Sequence, residues 1–234
     1  MVAKLFLIPT TLSTAIEHST LTINELKQIQ HLTHFIVETP KIARQHLKTL
    51  NLTTSLQNLN IRELNKHNQN LSELINPLFN GFDVGLISDC GMPAIADPGS
   101  KIVKLCHQNQ FKVVPFHGPN SIVMALMASG FNGQSFSFNG YLPIDNQERI
   151  KRIKELNELV IKNNQSQIFI ETPFRNSQLL NTLINNCSNK LSLSLAIDLM
   201  TPNEQIISKS ILAWKELSIL PEIHKHEVVF VIGQ

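Results

Sequence analysis

Four short apolar runs, KLFLIP (Lys4 to Pro9), HFIVE (His34 to Glu38), VGLISD (Val84 to Asp89) and KVVPF (Lys112 to Phe116), alternate with stretches of helical spacing. This alternation constrains the first half of the chain more than any other feature. Each run suits a buried strand and is too short for a core helix. Between them, Pro40 can open a helix through Leu50, where its missing N–H costs nothing, and Ala43, Leu47 and Leu50 recur at helical spacing. Leu71 to Phe79, made irregular by Pro77, and Ile102 to Gln108 read similarly. Strands that alternate with helices are joined by crossovers, so residues 1–117 are expected to form an α/β domain with a mainly parallel sheet covered on both faces.

The pattern changes after HGPNSIVMALMASGFNG (His117 to Gly133), in which Asn120 or Ser121 can cap a helix ending near Gly130. SFSFNGYLP, a charged helix from Asp145 to about Asn163, QIFIET, a helix following Pro173, LSLSLAIDL, QIISKS and EVVFVIG then succeed one another. LSLSL alternates strictly, the mark of a strand with one wet or differently packed face. A second α/β domain, residues 118–234, with a mixed sheet and flanking helices is expected.

A hydrophobic fraction of 42% and a charged fraction of 16% are those of a folding globular chain and exclude a disordered one. The apolar run near the amino terminus stops at Pro9, and no segment approaches the roughly 18 apolar residues of a membrane span, so a soluble cytoplasmic protein is expected. Cys90, Cys106 and Cys187 lie far apart without CxxC spacing, which supports neither a disulfide framework nor a thiolate zinc site. A net charge of +2 permits nucleic-acid binding without announcing it.

The third strand run is followed by SDCGMPAIADPGS (Ser88 to Ser100), which concentrates two acids, two glycines and two prolines. Such a segment continues as neither strand nor helix and must be a shaped loop. In open parallel sheets ligands sit beyond the carboxyl ends of strands, and this loop leaves such an end. Its glycines permit close backbone approach, while Asp89 and Asp97 offer carboxylates to hydroxyl or ammonium groups. A competing role for Asp97 is to cap a helix opening at Pro98, and the two roles can coexist. No GxGxxG, GxxxxGK[ST], HExxH or GxSxG occurs, so dinucleotide-fingerprint, P-loop, metalloprotease and serine-elbow chemistry have no motif here, and no metal site is expected.

SDCGMPAIADPG resembles the SDAGxPxxxDPG signature of the tetrapyrrole methylase superfamily, in particular the branch of S-adenosylmethionine-dependent enzymes that methylate a cytidine 2′-hydroxyl in small-subunit ribosomal RNA. HGPNSIVMALMASG resembles that family's PGPxAxxxALxxSG, FNGYLP its FxGFLP, FIETPFR its FYExxxR and KHEVVFVIG its KGExVLVI, while His67 and Asn68 match a His-Asn pair. Each piece is short, but they follow in order over nearly the whole chain. The resemblance implies a two-domain fold with S-adenosylmethionine in the cleft between the domains. The loop at residues 88–99 (Asp89, Cys90, Gly91, Met92, Ile95, Asp97) would line the methionine end. Pro119, Ser121 and Ile122 would add backbone and hydroxyl contacts, and Ile170 would lie near adenine. Ordinary turns and strand ends are the alternative for Ser121 and Ile170.

Departures fall mostly on the acceptor side. PTTLSTAIEHS lacks the glycine and asparagine of the family's PTPIGN loop, ETPKIAR keeps Glu38 but loses the aspartate of EDTR, and His226 stands where KGE has glycine. Proton removal from the acceptor has Glu38, His67 and Glu171 as candidate bases, set against a surface imidazole for His67 and strand-end caps or pairing with Arg44 and Arg175 for the two glutamates. Arg44 and Arg175 are candidate substrate contacts. Lys41, Arg44 and Lys48 share a helix face, and Arg149, Lys151, Arg152 and Lys154 form a second basic run. The expected function is methyl transfer to ribosomal RNA, by a homodimer as is usual in the family. The alternatives are a tetrapyrrole or other small-molecule acceptor, and a diverged non-catalytic module that binds S-adenosylmethionine or RNA.

Overall fold

A computed structural model of the chain describes residues 3–13, 19–64 and 70–234. The chain divides into two compact units, Met1–Asn120 and Ser121–Gln234. No helix among the described residues is long and apolar enough to cross a membrane.

In the first unit, β1 (Lys4–Leu7), β2 (His34–Val37), β3 (Asn60–Glu63), β4 (Val84–Ile87) and β5 (Lys112–Pro115) form an all-parallel sheet in the order β3-β2-β4-β1-β5. Side-chain alternation splits its core. Phe6, Ile8, Phe35, Val37 and Ile87 pack with Ile29, Ala43 and Leu47 of α1 (Ile23–Ile29) and α2 (Pro40–Leu47). Leu5, Ile36, Val84 and Leu86 pack on the other side with α3 (Leu71–Leu74), α4 (Asn76–Phe79) and α5 (Ser100–Gln108).

Local chemistry sets the element ends. Thr22 and Glu25 form a reciprocal capping box that starts α1. The helix expected through Leu50 ends at Leu47 and closes in a 3₁₀ turn, Lys48–Leu50, with Asn51 in the left-handed region at φ 51°. The helix expected from Leu71 to Phe79 breaks at Ile75, because Pro77 has no N–H for a continuous ladder and sits instead in the first turn of α4. β3 is the edge strand NIRE, polar and mostly exposed, so it carries no apolar signal to announce it.

In the second unit, β6 (Phe136–Tyr141), β7 (Ser166–Ile170), β8 (Ser192–Ile197), β9 (Gln205–Ser210) and β10 (Val228–Gly233) form a mixed sheet ordered β6-β7-β10-β8-β9. Only the β6–β7 pairing is parallel. Phe169, Leu193, Leu195, Ile197, Phe230 and Ile232 lie under α7 (Asn146–Asn163), α8 (Asn176–Asn186) and α9 (Ile211–Lys215). Ile168, Ala196, Val229 and Val231 lie under α6 (Ser121–Ser129). The alternation in LSLSL thus marks two differently packed faces and no wet one: Ser194 is 1% exposed, and with Ala196 it keeps that face low where α6 packs.

Candidate active site

The strand order places a switch point in the first unit. The chain leaves β1 toward α1 on one face and β2 on one side, and leaves β4 toward α5 on the opposite face and β5 on the other side. In open parallel sheets the carboxyl ends of strands at such a switch point are where ligands bind.

Three loops meet there through positions without side chains. Thr10 N–H, after β1, donates to the Gly91 carbonyl at 2.8 Å. Gly91 has φ 71°, and a Cβ on it would stand 3.1 Å from Leu12 Cδ2 and 3.3 Å from the Pro119 carbonyl. At Gly118 a Cβ would collide with the Pro9 ring at 2.3 and 2.4 Å. Two loop alanines, Ala94 and Ala96, also adopt the left-handed region at φ 68° and 62°, a strained state for alanine.

Asp89 latches this loop to the end of β2. Its carboxylate accepts from Thr39 N at 3.0 Å and Thr39 Oγ1 at 2.7 Å, while its own N–H donates to Glu38 Oε2 at 3.3 Å. Glu38 is therefore part of the latch. Cys90 is an exposed thiol 3.8 Å from the Leu12 carbonyl, Met92 Sδ lies 3.9 Å from Asn120 Nδ2, and Ile95 is 46% exposed. His117, where the family pattern has proline, pairs with Glu25 at 2.8 Å and so ties the β5 loop to α1. Burial would raise the Glu25 pKa, but hydrogen bonds from Thr22 and His117 outweigh it and hold the carboxyl below its ordinary value.

Ser121, Ile122 and Ile170 belong to the second unit. Ser121 opens α6, and Ile122 is 7% exposed with its side chain in the core. Ile170 ends β7 opposite Val229. Glu171 follows it, buried, with Oε1 accepting from Thr172 N at 2.7 Å and Oε2 lying 2.6 Å from Arg175 Nη2. His67 and Asn68 lie outside the described residues. Lys41 and Arg44 are exposed on α2, and Lys48 is exposed in the 3₁₀ turn that follows it. The second basic run does not make one basic face: Arg149 is 2% exposed, donating to the Ile144 carbonyl and Asn146 Oδ1, and Arg152 pairs with Glu155 and Asn139.

One pairing carried no sequence signal of its own. His226 Nδ1 lies 2.5 Å from Asp198 Oδ2, joining the loop before β10 to the end of β8. Only the departure of KHE from KGE marks it.

The chain is similar to proteins named ribosomal RNA small subunit methyltransferase I. It is 35% identical to that of Vibrio cholerae over 145 residues, which span 61% of this chain and 49% of the relative. It is 29% identical to that of Buchnera aphidicola subsp. Baizongia pistaciae over 235 residues, 98% of this chain and 75% of the relative. With the Thermotoga maritima protein it shares 31% identity over 163 residues, 70% of this chain and 68% of that one. The chain belongs to the ribosomal RNA small subunit methyltransferase I family. It spans about half the length of the Vibrio member of that family and about three quarters of the Buchnera one. No protein-family model matches it. In fold it resembles the crystal structure of the methyltransferase CobJ, with a TM-score of 0.60 over 99% of this chain and 93% of the other at 16% identity. A parallel sheet in one α/β unit and a mixed sheet in the other are what the sequence led one to expect, and that methyltransferase shares the fold.

Proposed function

We propose that the chain is an S-adenosylmethionine-dependent methyltransferase that acts on ribosomal RNA, with a ribose 2′-hydroxyl of the small subunit as acceptor. The observation that carries this reading is the convergence of three backbone loops on Gly91 and Gly118 at the switch point, in a chain of this family. The bare glycines let these loops close on one another beside the strand ends, and the carboxylates of Asp89 and Asp97 suit a cationic ligand.

Asp89, Cys90, Gly91, Met92, Ile95, Asp97 and Pro119 would hold the methionine part, with Ser121, Ile122 and Ile170 assigned by resemblance. Bound there, S-adenosylmethionine supplies a methyl group activated on a sulfonium. The chain's own share is alignment: the latched loop fixes the backbone that faces the ligand, and little reorganisation is left for the moment of reaction. Lys41, Arg44 and Lys48 would meet RNA phosphates. Arg175 would reach substrate only in competition with Glu171. The protein is proposed to work in the cytoplasm as a homodimer, which sedimentation equilibrium checks.

Calorimetry with S-adenosylmethionine and transfer of a labelled methyl group to isolated small ribosomal subunits test this reading. Binding followed by ribose-borne label supports it. Absence of binding overturns it, and label appearing in a porphyrin acceptor but not in RNA overturns the acceptor.

A further inference from the structure

In the first unit, α2 turns Ala43, His46 and Leu47 inward, and Ala43 and Leu47 join the apolar layer that holds Ile8 and Phe116. His46 is the polar exception on that face. It is 9% exposed, and burial holds its pKa down at about 4, so the imidazole is neutral. Nε2 is buried with no hydrogen-bond partner among the described residues. An apolar side chain of similar size would fill this position without stranding a nitrogen, so packing alone does not account for the imidazole.

What the imidazole reaches is the loop after β1. Its other nitrogen, Nδ1, donates to the carbonyl of Pro9, and since a carbonyl only accepts, the ring hydrogen sits on Nδ1. Pro9 is buried and lies beyond Leu7, the last paired residue of β1. Its ring occupies the space that a Cβ on Gly118 would need. The Pro9 carbonyl and the Thr10 N–H belong to one planar peptide group. Thr10 is 3% exposed, its N–H donates to the Gly91 carbonyl at 2.8 Å, and its Oγ1 lies 3.4 Å from the same oxygen. One rigid plane is therefore clamped at both ends, by His46 on the carbonyl and by Gly91 on the N–H. Every member of this chain of contacts belongs to the first unit.

We propose that His46 is a positioning residue for the methyl donor: by holding the Pro9 carbonyl it sets the loop after β1 against Gly91 and Gly118, and so sets the affinity of these loops for S-adenosylmethionine. This rests on the methyltransferase reading above. His46 acts through Pro9 and neither gives nor takes a proton in the reaction. Without its bond the buried carbonyl has no partner and must turn toward water. Because the peptide is planar, that turn carries the Thr10 N–H away from Gly91 and shifts the Pro9 ring off Gly118. The loop of residues 88–99 then loses its tie to β1, while Asp89 still holds it to the end of β2.

The test compares His46→Leu and His46→Asn with the parent in the full chain. Leucine fills the position and removes the donor, whereas asparagine keeps an N–H near the place of Nδ1 and leaves a void. Calorimetry with S-adenosylmethionine should show binding weakened about tenfold in His46→Leu and within about threefold of the parent in His46→Asn. Hydrogen exchange at the Thr10 amide should speed up about tenfold in His46→Leu and stay near parental in His46→Asn, even though the void lowers the unfolding temperature of the latter. With small ribosomal subunits as acceptor, His46→Leu should raise the KM for S-adenosylmethionine and leave kcat near parental. Parental donor affinity in His46→Leu overturns the proposal. So does affinity that falls with unfolding temperature in both variants, which would mark a tie of structural value alone. A parent that binds no S-adenosylmethionine defeats the underlying function and the proposal with it, and this is read on the parent before any variant is made.

Discussion

Acid should weaken the first unit through one buried histidine. His46 lies on the inner face of α2, 9% exposed, with one ring nitrogen donating to the Pro9 carbonyl and Nε2 buried without a hydrogen-bond partner. Burial pushes its pKa from 6.5 down to about 4, against the upward pull of the Pro9 carbonyl. The folded value lies below the unfolded one, so the unfolded chain takes up the proton first. This stability is intact above the unfolded value and drains away as pH falls from 6.5 toward 4. At about 1.4 kcal/mol per pH unit, the loss between about pH 7 and pH 5 comes to about 2 kcal/mol. The chain's single tryptophan, Trp214, and single tyrosine, Tyr141, both lie in the second unit, so their fluorescence does not report on the first. Hydrogen exchange of the buried β4 amides, read across a urea series at each pH, does. His46→Leu removes the titrating group at a roughly constant cost for the unpaired Pro9 carbonyl, so its stability should change less with pH than the parent's by about 2 kcal/mol over that interval. Parallel pH curves for the two proteins would refute the argument.

Gly85→Ala should destabilise the first unit by about 1 to 3 kcal/mol in urea unfolding, because its Cβ would stand 2.7 and 2.8 Å from the Phe35 ring and 2.9 Å from Ile8 Cδ1, in a strand packed on both faces. Asp89→Ala removes the acceptors of Thr39 N–H and Oγ1; it should lower stability by about 2 kcal/mol and speed hydrogen exchange at the Thr39 amide, with little change at β10 amides. Trp214→Phe should cost the second unit about 1 to 3 kcal/mol by circular dichroism, since it strands the Leu193 carbonyl that Nε1–H reaches at 2.9 Å in a fully buried position.

Where backbone strain falls explains both what was legible in the amino acids and what was not. The parallel sheet declared itself because buried strands need apolar, β-branched runs, and the loop of residues 88–99 declared itself through its glycines and prolines. The alanines at 94 and 96 gave no such sign, since nothing about alanine predicts a left-handed backbone. The His226–Asp198 pair was equally silent, because its members are 28 positions apart and meet only through the register that sets Val228 beside Ile197. The described non-glycine residues with positive φ fall into two groups. Asn51, Gln110 and Asn164 follow helices, where a turn must reverse and polar side chains tolerate it. Ala94, Ala96, Asp198, Met200 and Lys225 follow no helix, and they lie in the loop after β4 and at the β8–β10 edge. At Ala94, Ala96, Met200 and Lys225 the left-handed backbone costs about 1 kcal/mol or more apiece, whereas Asp198 tolerates it and uses it to satisfy the Glu227 backbone. After β4 it shapes the loop that sets Gly91 against Leu12 and the Pro119 carbonyl, and at the β8–β10 edge it turns the Asp198 carboxylate toward His226. If the loop after β4 served only to connect strands, glycine at 94 and 96 would relieve the strain and leave S-adenosylmethionine affinity unmoved. On the present reading the same substitutions loosen the loop and lower that affinity.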